Sequence, residues 1–257
     1  MKVTVCELNN DFKGLDHDWK RLVEHVRAER SDLVLLPEMA FHPWLAASDH
    51  PDPAQWQAAV EAHEHWRSRL HELLPAEVIA GTRPVVQGIR RHNEAFLWER
   101  SGGYRAAHHK YYLPDEPEFW EATWYDRGEC SFEPLRTGDV QVGFTICTEI
   151  WFFQHARVYG QQGIDLLLCP RATPAGSTEK WITGGRTAAV VSGAYCLSSN
   201  LSGKVNGVAM GGAGWVIEPE QGTILGVTSR EHPFLTISID PAAARAAKRT
   251  YPRYVLD

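Results

Sequence analysis

A layered α/β domain is the fold that this sequence of 257 residues predicts. Three observations carry the expectation. Short apolar or alternating runs such as "KVTVCELN" and "DLLLCP" recur along the chain, and amphipathic stretches at helical spacing lie between them. Charged residues make up 23% of the chain and hydrophobic residues 44%, the balance of an ordinary globular protein able to bury a sizeable core.

The strand-like runs are Val3 to Leu8, Leu33 to Leu36, Val78 to Gly81, Glu94 to Glu99, Val140 to Ile146, Ile164 to Cys169, Tyr195 to Asn200, Gly214 to Ile217 and Phe234 to Ile239. Trp19, Leu22, Val23 and Val26 recur at helical spacing in the first intervening stretch, and Trp56, Val60, His63, Trp66 and Leu70 do so in the second. Each helix thus has one apolar face to lay on a sheet. From Tyr111 to Pro134 the chain is rich in proline, acids and aromatics without a clean period, which predicts a long loop. Loops of that length inside a compact domain are usually functional or disordered. Phe119, Trp120, Trp124 and Tyr125 favour the packed, functional kind. With no internal repeat and no linker, residues 1–257 are expected to form a single domain.

The formal net charge is −6 and its charges are scattered, so the chain lacks the basic footprint of a nucleic-acid or anionic-membrane binder. No apolar run is long enough to span a bilayer, and the N-terminus enters a strand without the pattern of a secretory signal. Five widely spaced cysteines argue against a disulfide framework and for a reducing compartment, so a cytoplasmic protein is expected. The 12 histidines show no His-Glu-x-x-His spacing, and no Cys-x-x-Cys pair occurs, so no metal site is expected. "MGGAGW" lacks the spacing of a dinucleotide fingerprint and reads as a tight turn.

One stretch concentrates the chemistry. In "DVQVGFTICTEIWFFQHARV", Val140, Val142, Phe144 and Ile146 alternate as in a strand, whereas Trp151, His155, Val158 and Gln162 share a helical stripe. Cys147 falls where strand hands over to helix. Buried cysteines are commonly core filling. At a helix N-terminus, however, a thiol is favoured as an attacking group. Such a nucleophile needs a base and donors for the oxyanion that forms on attack. "DLVLLPEM" sets Glu38 just past a buried strand, at the end where open α/β sheets bind ligands. "YRAAHHKYYLP" sets Lys110 after another short strand. "CPRAT" places Arg171 near a strand end, either to pair with a substrate carboxylate or to serve as a structural partner of Glu149 or another acid.

Taken together, "LLPEM", "HHKYYLPDEPEF" and "GFTICTE" resemble, in that order and separation, the three signature segments of the nitrilase superfamily, the carbon–nitrogen hydrolases. The likeness extends to "KVTVCELN", "GIDLLLCP", "GGAGWVIEPEQGTILG" and "TYPRY". It implies a four-layer α-β-β-α sandwich carrying a Glu-Lys-Cys triad: Glu38 as general base, Lys110 as cationic orienter and oxyanion donor, and Cys147 as nucleophile. Glu118 matches the second glutamate that many members use, with Asp115 and Glu116 close by. The backbone amide of Thr148 completes the oxyanion site, and Trp124 and Trp151 are expected near the pocket. The sequence departs from the usual segment after the cysteine, where "TEIWFFQHAR" stands and lets Glu149, Trp151 and Phe152 shape the pocket in their own way.

The resemblance implies a thiol amidohydrolase acting on a small linear amide without cofactor or metal, as a homodimer or larger homo-oligomer. N-carbamoyl amino acids or amines come next as substrates, and nitriles third. A non-catalytic small-molecule-binding protein on the same fold is the alternative from another class.

Overall fold

Alternation in the first strand sets the layers. In the computed structural model, which describes residues 1–255 with the backbone alone for Val205, strand β1 (Lys2–Asn9) sends Val3 and Val5 into one core and Cys6 and Leu8 into another. Period-two patterning of this kind is what a strand buried on both faces produces. Helix α1 (Phe12–Glu29) follows, capped by Asp11, whose side chain accepts from the Lys13 and Gly14 amides. Next come β2 (Leu33–Leu35) and α2 (Pro53–Ser68), with Asp52 as its cap and Pro53 at its first position. Three antiparallel strands, β3 (Val78–Gln87), β4 (Arg90–Glu99) and β5 (Gly103–His109), complete the first half.

The second half holds a short helical turn α3 (Glu121–Trp124), β6 (Leu135–Thr137), β7 (Val140–Phe144), α4 (Phe153–Gln161), β8 (Leu166–Arg171), α5 (Thr178–Ser192) and β9 (Tyr195–Val205). Four further strands, β10 (Val208–Gly211), β11 (Trp215–Ile217), β12 (Ile224–Val227) and β13 (Phe234–Ser238), precede α6 (Pro241–Ala247). The strand order is β5-β4-β3-β2-β1-β9-β8-β7-β6, with β13 paired to β1 and β10 and β11 to β9.

β1 belongs to both halves. Val3 to Val5 pair in parallel with Leu33 to Leu35 of β2, and Glu7 to Asn9 pair in parallel with Asn200 to Ser202 of β9. Ser199 clips this seam: its hydroxyl accepts from the Cys6 amide at 2.9 Å and donates to the Leu35 carbonyl at 2.6 Å. The two halves face one another across a core in which Val3, Leu33, Leu35 and Ala80 meet Val142, Phe144, Leu166 and Leu197. Trp19, Leu22 and Val26 of α1 cover the outer face of the first half with Trp66 of α2. Ala156 and Tyr159 of α4 and Ile182, Ala188 and Ala189 of α5 cover the second. The architecture is therefore the expected four-layer α-β-β-α sandwich. Among the described residues no helix is long and apolar enough to cross a membrane.

Local departures from the sequence reading have physical reasons. The helical stripe expected to begin at Trp151 does not run through from the cysteine. Cys147 adopts φ 50° and opens a 3-10 turn over Cys147–Trp151, after which α4 starts at Phe153. The long Tyr111–Pro134 loop contains α3, a turn too short to leave a periodic signal. β6 and β10 are three and four residues long and were equally silent.

Candidate active site

Each polar side chain of the cavity enters at a strand end. After β2 the Leu36 amide still bonds Ala80 O at 2.8 Å, and the Glu38 amide then turns to Arg171 O at 3.2 Å. Met39, at φ 48°, gives its amide to the Thr82 hydroxyl at 2.8 Å, which closes the turn and directs Glu38 inward. Lys110 leaves β5 with its amide on Asn93 O at 2.9 Å and its carbonyl receiving Gly128 N at 3.0 Å. Gly128 is required there, because a Cβ would run into the His109 carbonyl.

Burial then forces the side chains to satisfy one another. Glu38 and Lys110 are 0% exposed and Glu121 is 1% exposed. Lys110 Nζ donates to Glu38 Oε1 at 2.8 Å and reaches both Glu121 oxygens at 2.7 Å. Asn93 Nδ2 donates to the same Glu38 Oε1 at 2.7 Å. Glu38 Oε2 is buried and accepts no hydrogen bond among the described residues. A buried carboxylate oxygen without a donor is costly, and such oxygens mark places where a proton or ligand is expected.

Charge follows from this packing. Burial disfavours the Lys110 ammonium, but the carboxylates of Glu121 and Glu38 outweigh it and hold the lysine well above its usual pKa. Burial pushes Glu121 up to about 8, against the pull of Lys110 and with added repulsion from Glu38. The Cys147 thiol is also raised, first by burial and then by the Glu38 charge, with Lys110 acting in the opposite direction. Its Sγ sits 4.0 Å from Ala172 O. A thiol raised in this way would need a base to act as a nucleophile.

Glu149 braces the two turns. It accepts from Ile146 N at 2.8 Å, from Tyr111 N at 2.7 Å and from His108 Nε2 at 2.9 Å. The residue before the cysteine and the residue after the lysine thus share one buried carboxylate.

A cavity of about 180 Å³ opens onto Cys147, walled by Phe119, Glu121, Thr148, Trp151 and Trp181. A larger cleft of about 650 Å³, lined by Glu7, Arg21, Lys204 and Arg230, contains no cysteine. Cys147, Thr148 and Trp151 line the smaller cavity.

Three expectations are not met. Glu118 is exposed, at φ 73°, and offers its backbone carbonyl to Trp44 Nε1 at 3.0 Å. The tight turn from Glu116 to Phe119 carries Glu118 outward, and Glu121, the first residue of α3, takes the inward position. The available signal was the placement of Glu121 between Trp120 and Trp124, an acid set among aromatics that must be buried. Arg171 is 1% exposed and its donors are committed: to Ser198 Oγ at 2.7 Å, Thr173 Oγ1 at 2.8 Å and Ala213 O at 2.7 Å. Its guanidinium lies 4.0 Å over the Trp215 ring, so it is a structural cation and its partner is not Glu149. Trp124 packs away from the cavity with its Nε1 on Ser48 O at 2.6 Å.

Comparison with known proteins gives this arrangement its family. The carbon–nitrogen hydrolase family model matches residues 2–249. The chain belongs to that family. This carbon–nitrogen hydrolase is 26% identical over 250 residues to a glutamine-dependent NAD(+) synthetase of Rhodobacter capsulatus, covering 95% of the chain and 44% of the relative. It is 20% identical over 159 residues to the N-carbamoylputrescine amidase of Arabidopsis thaliana, covering 60% of the chain and 52% of the relative. The chain thus spans about half the length of these curated relatives. Among solved structures, a carbon–nitrogen hydrolase from Helicobacter pylori G27 superposes with a TM-score of 0.87 at 20% identity, covering 98% of this chain and 94% of that one. An amidase from Nesterenkonia sp. AN1, whose structure shows Michael addition of acrylamide at the active site cysteine, superposes with a TM-score of 0.78 at 20% identity, covering 95% of both chains.

Proposed function

We propose that the protein is a thiol amidohydrolase that cleaves the C–N bond of a small linear amide, releasing a carboxylic acid and ammonia or an amine. The observation that carries this reading is the free Glu38 Oε2. It is an unpartnered buried carboxylate oxygen, on a carboxylate whose charge acts on a protonated thiol lining a cavity.

In this mechanism Glu38 takes the Cys147 proton as Sγ attacks the amide carbon. The carbonyl π electrons move onto oxygen, and Lys110 Nζ with the Thr148 N–H stabilises the resulting oxyanion. Collapse breaks the C–N bond, and the leaving nitrogen takes the proton from Glu38. A thioester remains on Cys147. Water then gives a proton to Glu38 and attacks the thioester; the thiolate leaves, recovers that proton, and the acid departs. Glu121 also holds Lys110 and lines the cavity, where it can orient the amide nitrogen.

A second reading, hydrolysis of N-carbamoyl amines, draws on the likeness to N-carbamoylputrescine amidases of Arabidopsis thaliana and Oryza sativa subsp. japonica. The free, widely spaced cysteines favour a reducing, cytoplasmic setting, and a homodimer or larger homo-oligomer belongs to the same proposal.

The test is denaturing mass spectrometry after mixing with short amides, carbamoyl compounds and nitriles, together with hydroxamate formation in hydroxylamine. An acyl adduct on Cys147 and hydroxamate release that is lost in Cys147→Ala are expected. Neither product from any compound would leave a non-catalytic binding protein as the better description.

A further inference from the structure

Asn93 stands on a face of β4 that is otherwise apolar. Ala95 and Leu97, which share its side of the strand, pack into the core between the two sheets. Asn93 is itself 1% exposed and does not line the Cys147 cavity. Its Nδ2 donates to Glu38 Oε1 at 2.7 Å, while its Oδ1 is buried and accepts no hydrogen bond among the described residues. The opposite amide orientation would set a carbonyl oxygen against a carboxylate oxygen, two acceptors, so the donor is the end that faces Glu38. A buried amide kept for packing alone is normally satisfied at both ends. This one commits its donor to Glu38 and leaves its acceptor empty.

The same residue also reaches Lys110. The Asn93 carbonyl accepts the Lys110 amide at 2.9 Å, so one position of β4 meets both the Glu38 side chain and the backbone that carries the lysine. That part of β4 is itself anchored, because Arg91 N donates to Asp126 Oδ2 at 2.8 Å and Arg91 O accepts from Asp126 N at 2.6 Å.

We propose that Asn93 is a positioning residue for Glu38: together with Lys110 it fixes Oε1 and so keeps Oε2 free to take the Cys147 proton. This rests on the amidohydrolase reading and adds to it the group that selects which carboxylate oxygen acts. Two donors from different strand ends converge on Oε1, and neither bonds Oε2. The lysine alone would not secure that choice. An ammonium is a point charge with rotatable donors, and Lys110 Nζ already straddles both oxygens of Glu121 at 2.7 Å. Without the Asn93 donor it can straddle Glu38 in the same way and occupy the oxygen that the thiol needs. Glu38 would then be misplaced both for taking the Cys147 proton and for handing it to the leaving nitrogen. A displacement of about 1 Å in such a group costs on the order of 100-fold in rate.

Asn93→Leu keeps the bulk of the side chain without the donor, and Asn93→Ala makes the same test if leucine is not accommodated. Acetamide, propanamide and butanamide are compared with p-nitrophenyl butanoate on variants that circular dichroism shows to be folded. The nitrophenolate leaves without a proton, whereas an amide nitrogen must receive one from Glu38. Amide kcat should fall about 10- to 100-fold with KM within about twofold of wild type, because Asn93 does not touch the cavity. Acylation of Cys147 by the ester, read from the nitrophenolate burst, should fall by less. A general disturbance of the fold would lower both reactions by the same factor. Wild-type amide kcat in the variant, or equal losses on amide and ester, would overturn the positioning role and leave the amidohydrolase intact. Wild-type protein that turns over none of these amides would remove the amidohydrolase reading and this assignment with it.

Discussion

The Glu149 carboxylate receives the Tyr111 amide at 2.7 Å, which locks the turn that presents Cys147 to the turn that presents Lys110. Because Glu149 is 0% exposed and also serves Ile146 N and His108, its removal leaves two buried donors and one half-buried donor without an acceptor. Glu149→Ala should therefore lose about 3 kcal/mol of stability, at ~1 to 3 kcal/mol per orphaned buried group with partial relaxation. Glu149→Asp, which keeps the charge, should recover part of the melting temperature. If this brace positions Cys147, kcat should fall in both variants by more than KM changes. Wild-type kcat in Glu149→Ala at a temperature where it is folded would refute the positioning role.

Substitution separates the two candidate glutamates. Glu121→Gln should reduce kcat by about 100-fold or more, the size of loss typical when a positioned acid–base or electrostatic group is removed. Glu118→Gln should stay near wild type, because that side chain is exposed. Steady-state kinetics on any turned-over amide decides it, and the reverse ranking would return the role to Glu118.

Glu121 also imposes a pH dependence on folding. Its carboxyl is raised from 4.5 to about 8, chiefly by burial. A carboxyl raised in the folded state, as burial and the Glu38 charge raise this one against the pull of Lys110, contributes less to stability as pH rises above the unfolded value. Denaturant titrations from pH 5 to 8 should show wild type losing stability relative to Glu121→Gln, which lacks that titration. Parallel curves would remove the buried proton from the account.

Removing the cation strands its partners. Lys110→Met leaves Glu38 and Glu121 buried and facing each other, a loss of about 3 to 5 kcal/mol for a broken buried pair. The triple change Lys110→Met, Glu38→Gln, Glu121→Gln should be more stable than Lys110→Met alone, although inactive. Chemical denaturation of the two variants measures this difference.

Arg171→Ala should act on folding and not on substrate choice. Three committed hydrogen bonds and the stacking on Trp215 disappear together, which corresponds to about 3 kcal/mol for a large buried truncation. KM for acidic and neutral amides should move equally. A selective rise for acidic amides would restore Arg171 to the pocket.

Legibility in the sequence followed how local the determinants are. Glu38 and Cys147 stand directly after apolar strands, so their arrival at the same edge of the sandwich was readable from alternation and order. Lys110 follows a strand without apolar alternation and was readable only through the resemblance of "HHKYYLPDEPEF" to a signature segment. The choice of Glu121 over Glu118 was not, because it depends on a φ of 73° at Glu118 and on a four-residue helical turn, neither of which leaves a periodic trace. Arg171 failed for a different reason. Its acceptors, Ser198 and Ala213, come from chain far beyond it, and burial by distant partners is invisible in the residues around "CPRAT". Helix α4 was shortened by the strained turn at Cys147, a case where the backbone of the site overrides the periodic pattern.

The strand shared by the two sheets has a mechanical consequence for this chemistry. With β1 paired to β2 along one part and to β9 along the next, and Ser199 pinning Leu35 at the crossing, neither sheet can shear past the other without tearing a common spine. Glu38 hangs from one side of that spine and Cys147 from strands anchored on the other. Their spacing is thus inherited from the deepest part of the molecule instead of from adjustable surface segments, and a lesion at the spine would reach both at once.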